Sequence, residues 1–221
     1  MATARAVERR AKDRGANSPS TATQFLKILA AIQSAIDVTA RDGRALTLEE
    51  GLAQGIAMIE RCSDSGRKLV FIGNGGSAGI ASHQAVDYWK NGGVEAIAFN
   101  DASLLTCIGN DYGYDRVFAE PIRRFAKPGD LLIAISSSGR SPNILRAVET
   151  ADAMGCSVLT LSGFDADNAL RRLGGLNFYV PSHAYGIVEV THLSLLHAML
   201  DERIAKRQRV TQVDAASASA R

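Results

Sequence analysis

Residues 71–78 read Phe-Ile-Gly-Asn-Gly-Gly-Ser-Ala: an apolar run that breaks into Gly73-Asn74-Gly75-Gly76-Ser77, followed by a helical pattern carrying His83 and Asp87. This order of strand, glycine turn and helix constrains the fold more than any other stretch. Glycines let the backbone take positive φ and approach a ligand closely, so that N–H groups near a helix start point at phosphate oxygens. The turn is not a Walker A loop, which needs Gly-Lys-Ser/Thr. Nor is it the dinucleotide fingerprint, because Ala78 fills the last glycine position. A nucleotide cofactor is disfavoured, and a phosphorylated small molecule becomes the first candidate ligand. A plain strand-to-helix turn, with glycines only for geometry, is the alternative.

A second loop of the same kind follows the apolar run Leu131–Ile135 and reads Ser136-Ser137-Ser138-Gly139-Arg140-Ser141-Pro142-Asn143. Hydroxyls and amide N–H groups at a helix start suit an esterified phosphate. Ser138 or Ser141 also serves as an N-cap with Pro142 as the first helical residue, but a cap needs one serine and this loop has four.

Strands are expected near 68–72, 96–99, 131–135, 157–161 and 177–180, and helices over 25–39, 46–62 and the intervals. Alternation of this kind predicts an α/β fold, a doubly wound, mostly parallel five-stranded sheet flanked by helices, with ligands at the carboxyl ends of the strands. The chain has 221 residues, 46% of them hydrophobic, and a net charge of +2, which suits one enzyme-sized domain and does not call for nucleic acid. That domain is expected over 21–205, between mobile tails at 1–20 and 206–221 of small and polar residues. No apolar run reaches membrane-spanning length and no signal-peptide core opens the chain, so a cytoplasmic location is expected. Cys62, Cys107 and Cys156 are widely spaced with no Cys-x-x-Cys clip, and read as buried thiols.

Histidines and acids on helical faces are the candidate chemistry. His83 and Asp87 are spaced i, i+4, within reach of a common ion, although a surface hydrogen-bonded pair has the same spacing. Glu189 and His192 are spaced i, i+3, a metal-binding geometry in helical bundles. His183 lies in a loop and either contacts substrate or does nothing specific.

At this point the chain resembles the sugar isomerase (SIS) domain family, and within it the sedoheptulose 7-phosphate isomerase (phosphoheptose isomerase) branch. The resemblance covers about residues 20–205. It rests on Gly73–Ser77 with His83, Asn100-Asp101-x-Ser103, Cys107–Gly113, Ser136-Ser-Ser-Gly-x-Ser141 and the terminal helix from about Glu189 to His197. It implies aldose–ketose isomerisation of a phosphorylated heptose through an ene-diolate, with Asp87 as base and His197 as complementary acid. It also implies zinc held by His83, Asp87, Glu189 and His197, and substrate held by Asn74, Gly75, Gly76, Ser77, Asp87, Asn100, Asp101, Ser136, Ser137, Ser138, Ser141 and Glu189. For Asp101 an Asx-turn or helix cap is the competing role. The resemblance implies a homo-oligomer, a tetramer. Glu189 and His197 stand about 12 Å apart on a straight helix, too far to bind one ion within one chain, so intersubunit sites are expected.

Three positions depart from the family's pattern. Asp87 stands where the family has Glu, Glu189 where it has Gln, and Gly186 where it has Asp, and the segment after Pro181 is one residue shorter. The family's non-catalytic members, which bind a sugar phosphate or a protein partner, are therefore the alternative class. A helix-turn-helix transcription factor is not expected, since about twenty residues ahead of the first helix cannot supply that domain.

Overall fold

The structure, a computed structural model, describes residues 19–219, with side chains described over 19–209. The expected tail at 1–20 lies almost wholly outside the described residues. In chain order the elements are α1 (Ala22–Ile32), β1 (Asp37–Ala40), β2 (Ala45–Leu46), α2 (Leu48–Asp64), β3 (Leu69–Gly73), α3 (Gly76–Lys90), β4 (Ala96–Ala98), α4 (Ala102–Asp111), α5 (Ala119–Phe125), β5 (Leu131–Ser136), α6 (Pro142–Ala153), β6 (Ser157–Gly163), β7 (Leu176–Val180) and α7 (Tyr185–Ser219). Short 3₁₀ turns lie between some of them.

Among the described residues all strands join one sheet of order β2-β1-β7-β6-β5-β3-β4. The five expected strands, β3 to β7, are its parallel part. The expectation of five strands is corrected to seven. β1 pairs antiparallel with β7, and β2 with β1. The helix expected over 25–39 ends at Ile32, and Asp37–Ala40 is strand instead. Val38 of that strand is buried while its neighbours are not, and its register against Phe178 extends the sheet. Local apolar spacing reads helix there because it does not see β7, and tertiary pairing overrides it. The terminal helix also runs past residue 205 to Ser219, into the segment read as a tail.

Local signals set the helix starts. Thr47 caps α2 in a reciprocal box, its hydroxyl accepting from Glu50 N while the Glu50 carboxylate accepts from Thr47 N. Period-two alternation on the parallel strands divides the core into two layers. Leu69, Phe71, Leu131, Ile133 and Ile135 face α2, α3 and α7. Val70, Ile72, Leu132 and Ala134 face α5 and α6. Buried Asp130 fixes the entry to the central strands, accepting from Lys68 N and Lys127 N and pairing with Lys68 Nζ at 2.6 Å. Gly73 then stands in register with Ile135, so the glycine and serine loops open side by side. β4 lies beyond β3 on one side and β5 on the other, so the two loops flank the point where strand order reverses, the usual ligand crevice of such sheets.

Two contacts fix α7 against α3. The Tyr88 hydroxyl donates to the Leu196 carbonyl at 3.1 Å. Fully buried Arg203 donates to the Gly92 carbonyl and lies 3.1 Å from Glu60. No helix among the described residues is long and apolar enough to cross a membrane. The cysteines are free; Cys62 and Cys156 are buried, and burial pushes each thiol up to about 11. Cys107 corrects the sequence reading, because it is exposed on α4 with its Sγ 3.6 Å from Asp111 Oδ2.

Candidate functional site

The glycine turn is built as its composition demands. Gly75 has φ +56° and precedes the first residue of α3, a conformation that a side chain strains. Gly76 has a different reason: a Cβ there would overlap the Glu189 carboxylate from α7. Glu189 thus sits at the start of α3, where the helix dipole favours an anion, and its partial burial pushes its carboxyl up from its ordinary value. Ser77 is buried in the first turn.

Asn74 leaves this turn toward the serine loop. It exchanges both amide hydrogen bonds with buried Asn143 at 2.9 Å and accepts from the Tyr114 hydroxyl at 3.2 Å. Neither Asn143 nor Tyr114 is marked by a motif, and their role needs the two loops to meet.

The serine loop separates its hydroxyls into used and free ones. Ser136 Oγ accepts from Gly139 N at 3.2 Å and Ser138 Oγ from Arg140 N at 3.3 Å. Ser137 is buried and its Oγ has no partner, and Ser141 stands at the N-cap of α6 without a side-chain capping bond. A plain helix cap would have used Ser141. Arg140 turns away to Asp167 at 2.8 Å and Asp165 at 3.3 Å, leaving the loop's dipoles to meet an anion.

Asn100 bridges the end of β4 to α3, donating to Ala78 O at 2.9 Å and Ser82 Oγ at 2.8 Å, while its Oδ1 is buried and unpartnered. Asp101 caps α4 by accepting from Leu104 N at 3.0 Å, the capping role the sequence left open.

Two turns along α3 from Gly76, about 10 Å, the structure brings together His83, Asp87 and His197. His83 Nε2 lies 3.2 Å and His197 Nδ1 3.9 Å from Asp87 Oδ2, and the two rings meet edge to face at 5.4 Å. One ligand atom from each residue falls within 4.8 Å of the others, a group able to hold a metal ion. Two imidazoles and a carboxylate form a donor set suited to a divalent cation. The fourth expected ligand, Glu189, is not brought to it within one chain, because eight residues of straight helix separate it from His197. The Glu189–His192 pairing is corrected. His192 is fully buried, its Nε2 sits 3.1 Å from Ser162 O, and burial drives the imidazole down to about 4. His183 stacks on Phe164 at 5.6 Å, outside the cluster.

A sheet whose reversal point carries two oxyanion loops, with a histidine–carboxylate group on the covering helices, defines a phosphosugar-binding α/β enzyme class. The SIS domain model matches residues 35–163. The phosphoheptose isomerase of Shewanella sp. (strain ANA-3) is 35% identical over 178 residues, 77% of this chain and 87% of that one. Solved phosphoheptose isomerases from Neisseria gonorrhoeae (29% identity, TM-score 0.66, covering 91% of this chain and 98% of that one) and Francisella tularensis (26%, 0.72, 83% and 96%) share the fold. The chain belongs to the SIS domain family, in its phosphoheptose isomerase branch.

Proposed function

We propose that this chain is an aldose–ketose isomerase that interconverts sedoheptulose 7-phosphate and the corresponding heptose 7-phosphate, with zinc bound by His83, Asp87 and His197. The observation that carries the reading is the convergence of those three side chains on α3 and α7, helices packed on the sheet whose strand ends carry the glycine and serine loops. The 35% identity to a phosphoheptose isomerase supports the substrate class.

In this reading the free hydroxyls of Ser137 and Ser141 and the N–H groups at the start of α6 hold the phosphate. Asn74, the N–H groups of Gly75 and Gly76, and Asn100 hold the sugar's oxygens. Asp87 takes the proton from the carbon beside the carbonyl and returns it to the neighbouring carbon, through an ene-diolate. Zinc, when bound, would polarise the carbonyl and stabilise charge on its oxygen. Asp is one methylene shorter than Glu, and His197 Nδ1 lies 3.9 Å from Asp87 Oδ2.

A homotetramer completes the site. Glu189 stands at the glycine turn while the histidine group lies two turns away, so a second copy brings its own group to the first copy's loops. Apolar surface fits such packing: α1 buries no residue, Leu26 is 63% and Trp89 53% exposed, and Val86 and Val190 are exposed on α3 and α7. The free cysteines accord with the cytoplasm.

The test is turnover of sedoheptulose 7-phosphate by purified protein after chelation and after zinc is returned, with Asp87→Asn as control. Zinc-restored product that disappears in the control is expected. Full turnover by the metal-stripped protein would overturn the zinc role, and phosphosugar binding without turnover under any metal would overturn the isomerase reading.

A further inference from the structure

Gln84 points an amide at the histidine group from within the hydrophobic core. Its side chain is fully buried on α3, on the same face as Ile80, Ala81, Ala85 and Tyr88. A primary amide offers two donors and an acceptor oxygen. Here Nε2 lies 3.0 Å from His197 Nε2, and Oε1 has no partner. Burying an incompletely paired amide is destabilising, and methionine would fill the same space without that cost. The contact with His197 is what accounts for the amide.

We propose that Gln84 is a positioning residue that sets the tautomer of His197, and that rotation of its amide by half a turn converts His197 from the Nδ1-protonated form to the metal-ligating form. The inference rests on the role given to His197 above. His197 presents Nδ1 to Asp87 and Nε2 to Gln84. In a neutral imidazole one nitrogen carries the proton and the other the lone pair, and the partner of one decides the state of the other. With the amide N–H donating to Nε2, the proton sits on Nδ1, facing the Asp87 carboxylate. With the amide turned so that Oε1 faces Nε2, the proton moves to Nε2 and the Nδ1 lone pair faces the group formed with His83 and Asp87. Asp87 and His83 are the titratable groups that face the ring. Glutamine serves both states because it carries a donor and an acceptor on one rotatable group. A carboxylate serves only the ligating state and an apolar residue neither.

The experiment is long-range proton–nitrogen correlation of histidine-labelled protein, metal-stripped and then loaded with zinc, alongside zinc affinity by chelator competition. In the metal-stripped parent His197 is expected to carry its proton on Nδ1, and zinc is expected to move it to Nε2. Gln84→Met is expected to lose the Nδ1–H preference and to bind zinc about 10–100-fold more weakly. Gln84→Glu is expected to hold the proton on Nε2 in both states and to bind zinc at least as tightly as the parent. An Nε2–H tautomer in the metal-stripped parent would overturn the inference, as would a Gln84→Met protein with the parent's tautomer and zinc affinity. If the parent takes up no zinc, the zinc reading fails by itself, and the metal-stripped tautomers of parent and variants still decide the role of Gln84. If Gln84→Met does not fold, the parent spectra and Gln84→Glu decide it.

Discussion

Asn74 and Asn143 hold the two ligand loops together through a reciprocal amide pair, each donating to the other's carbonyl at 2.9 Å across 69 residues of sequence. Asn143 Oδ1 also accepts from Ile144 N at 3.0 Å, so the same side chain anchors the start of α6. The pair sets the spacing between the glycine loop and the serine loop.

Asn143→Ala removes both cross-loop bonds and leaves Asn74 held only by Tyr114. A loss of about 1–3 kcal/mol is expected from the unpaired amide groups. The effect should fall on KM, raised about tenfold for the phosphosugar, with kcat changed less, because in the proposed reading the loops hold substrate and do not move protons. Steady-state kinetics read this directly, and an unchanged KM would show that the pair does not govern the crevice.

His192 makes stability depend on pH in a definite direction. Its folded imidazole is driven down to about 4 by burial, whereas the unfolded side chain titrates near 6.5. Between those values the unfolded chain binds the extra proton, so stability rises with pH through the window and is lost as pH falls from about 6.5 toward 4. The shift corresponds to about 3 kcal/mol. Urea unfolding at pH 7.5, 5.5 and 4.5 measures it, and His192→Leu should flatten this part of the profile.

Two glycines should respond differently to the same substitution. Gly139 has φ +59° and its Cβ would run into Asn168, whose fully buried amide is fixed by bonds to Gly163 O, Asp165 O and Arg171 N. Gly139→Ala should cost at least about 2 kcal/mol. At Gly76 the obstacle is the end of the flexible Glu189 side chain, so Gly76→Ala should cost less than about 1 kcal/mol while displacing that carboxylate. Thermal unfolding of the two variants in parallel compares them; equal losses would mean that Glu189 is held as rigidly as Asn168.

Much of the fold was legible because its signals are local. The parallel strands are short apolar runs bounded by glycine, serine or proline, and the glycine and serine loops declare themselves by composition. The edge hairpin was not legible: Asp37–Ala40 continues a helical apolar spacing, and only pairing with β7 makes it strand. Among the site residues, the i, i+4 spacing brought out His83 and Asp87, whereas Gln84 and Asn143 carry no motif and acquire their roles from partners 113 and 69 residues away.

Sequence alone determined the class of the molecule: a glycine turn and a serine turn on a wound sheet, and a histidine and a carboxylate one helical turn apart. Backbone conformation, strand propensity and helical periodicity act over a few residues, so they can be read along the chain. Tertiary structure decided which groups meet. It set His197 beside Asp87, kept Glu189 at the glycine turn, buried His192 against Ser162, and gave Gln84 its partner. Those outcomes depend on how α7 docks on α3, which is fixed by contacts such as Tyr88 to Leu196 and Arg203 to Gly92. Such contacts join residues more than a hundred positions apart, and no local pattern records them.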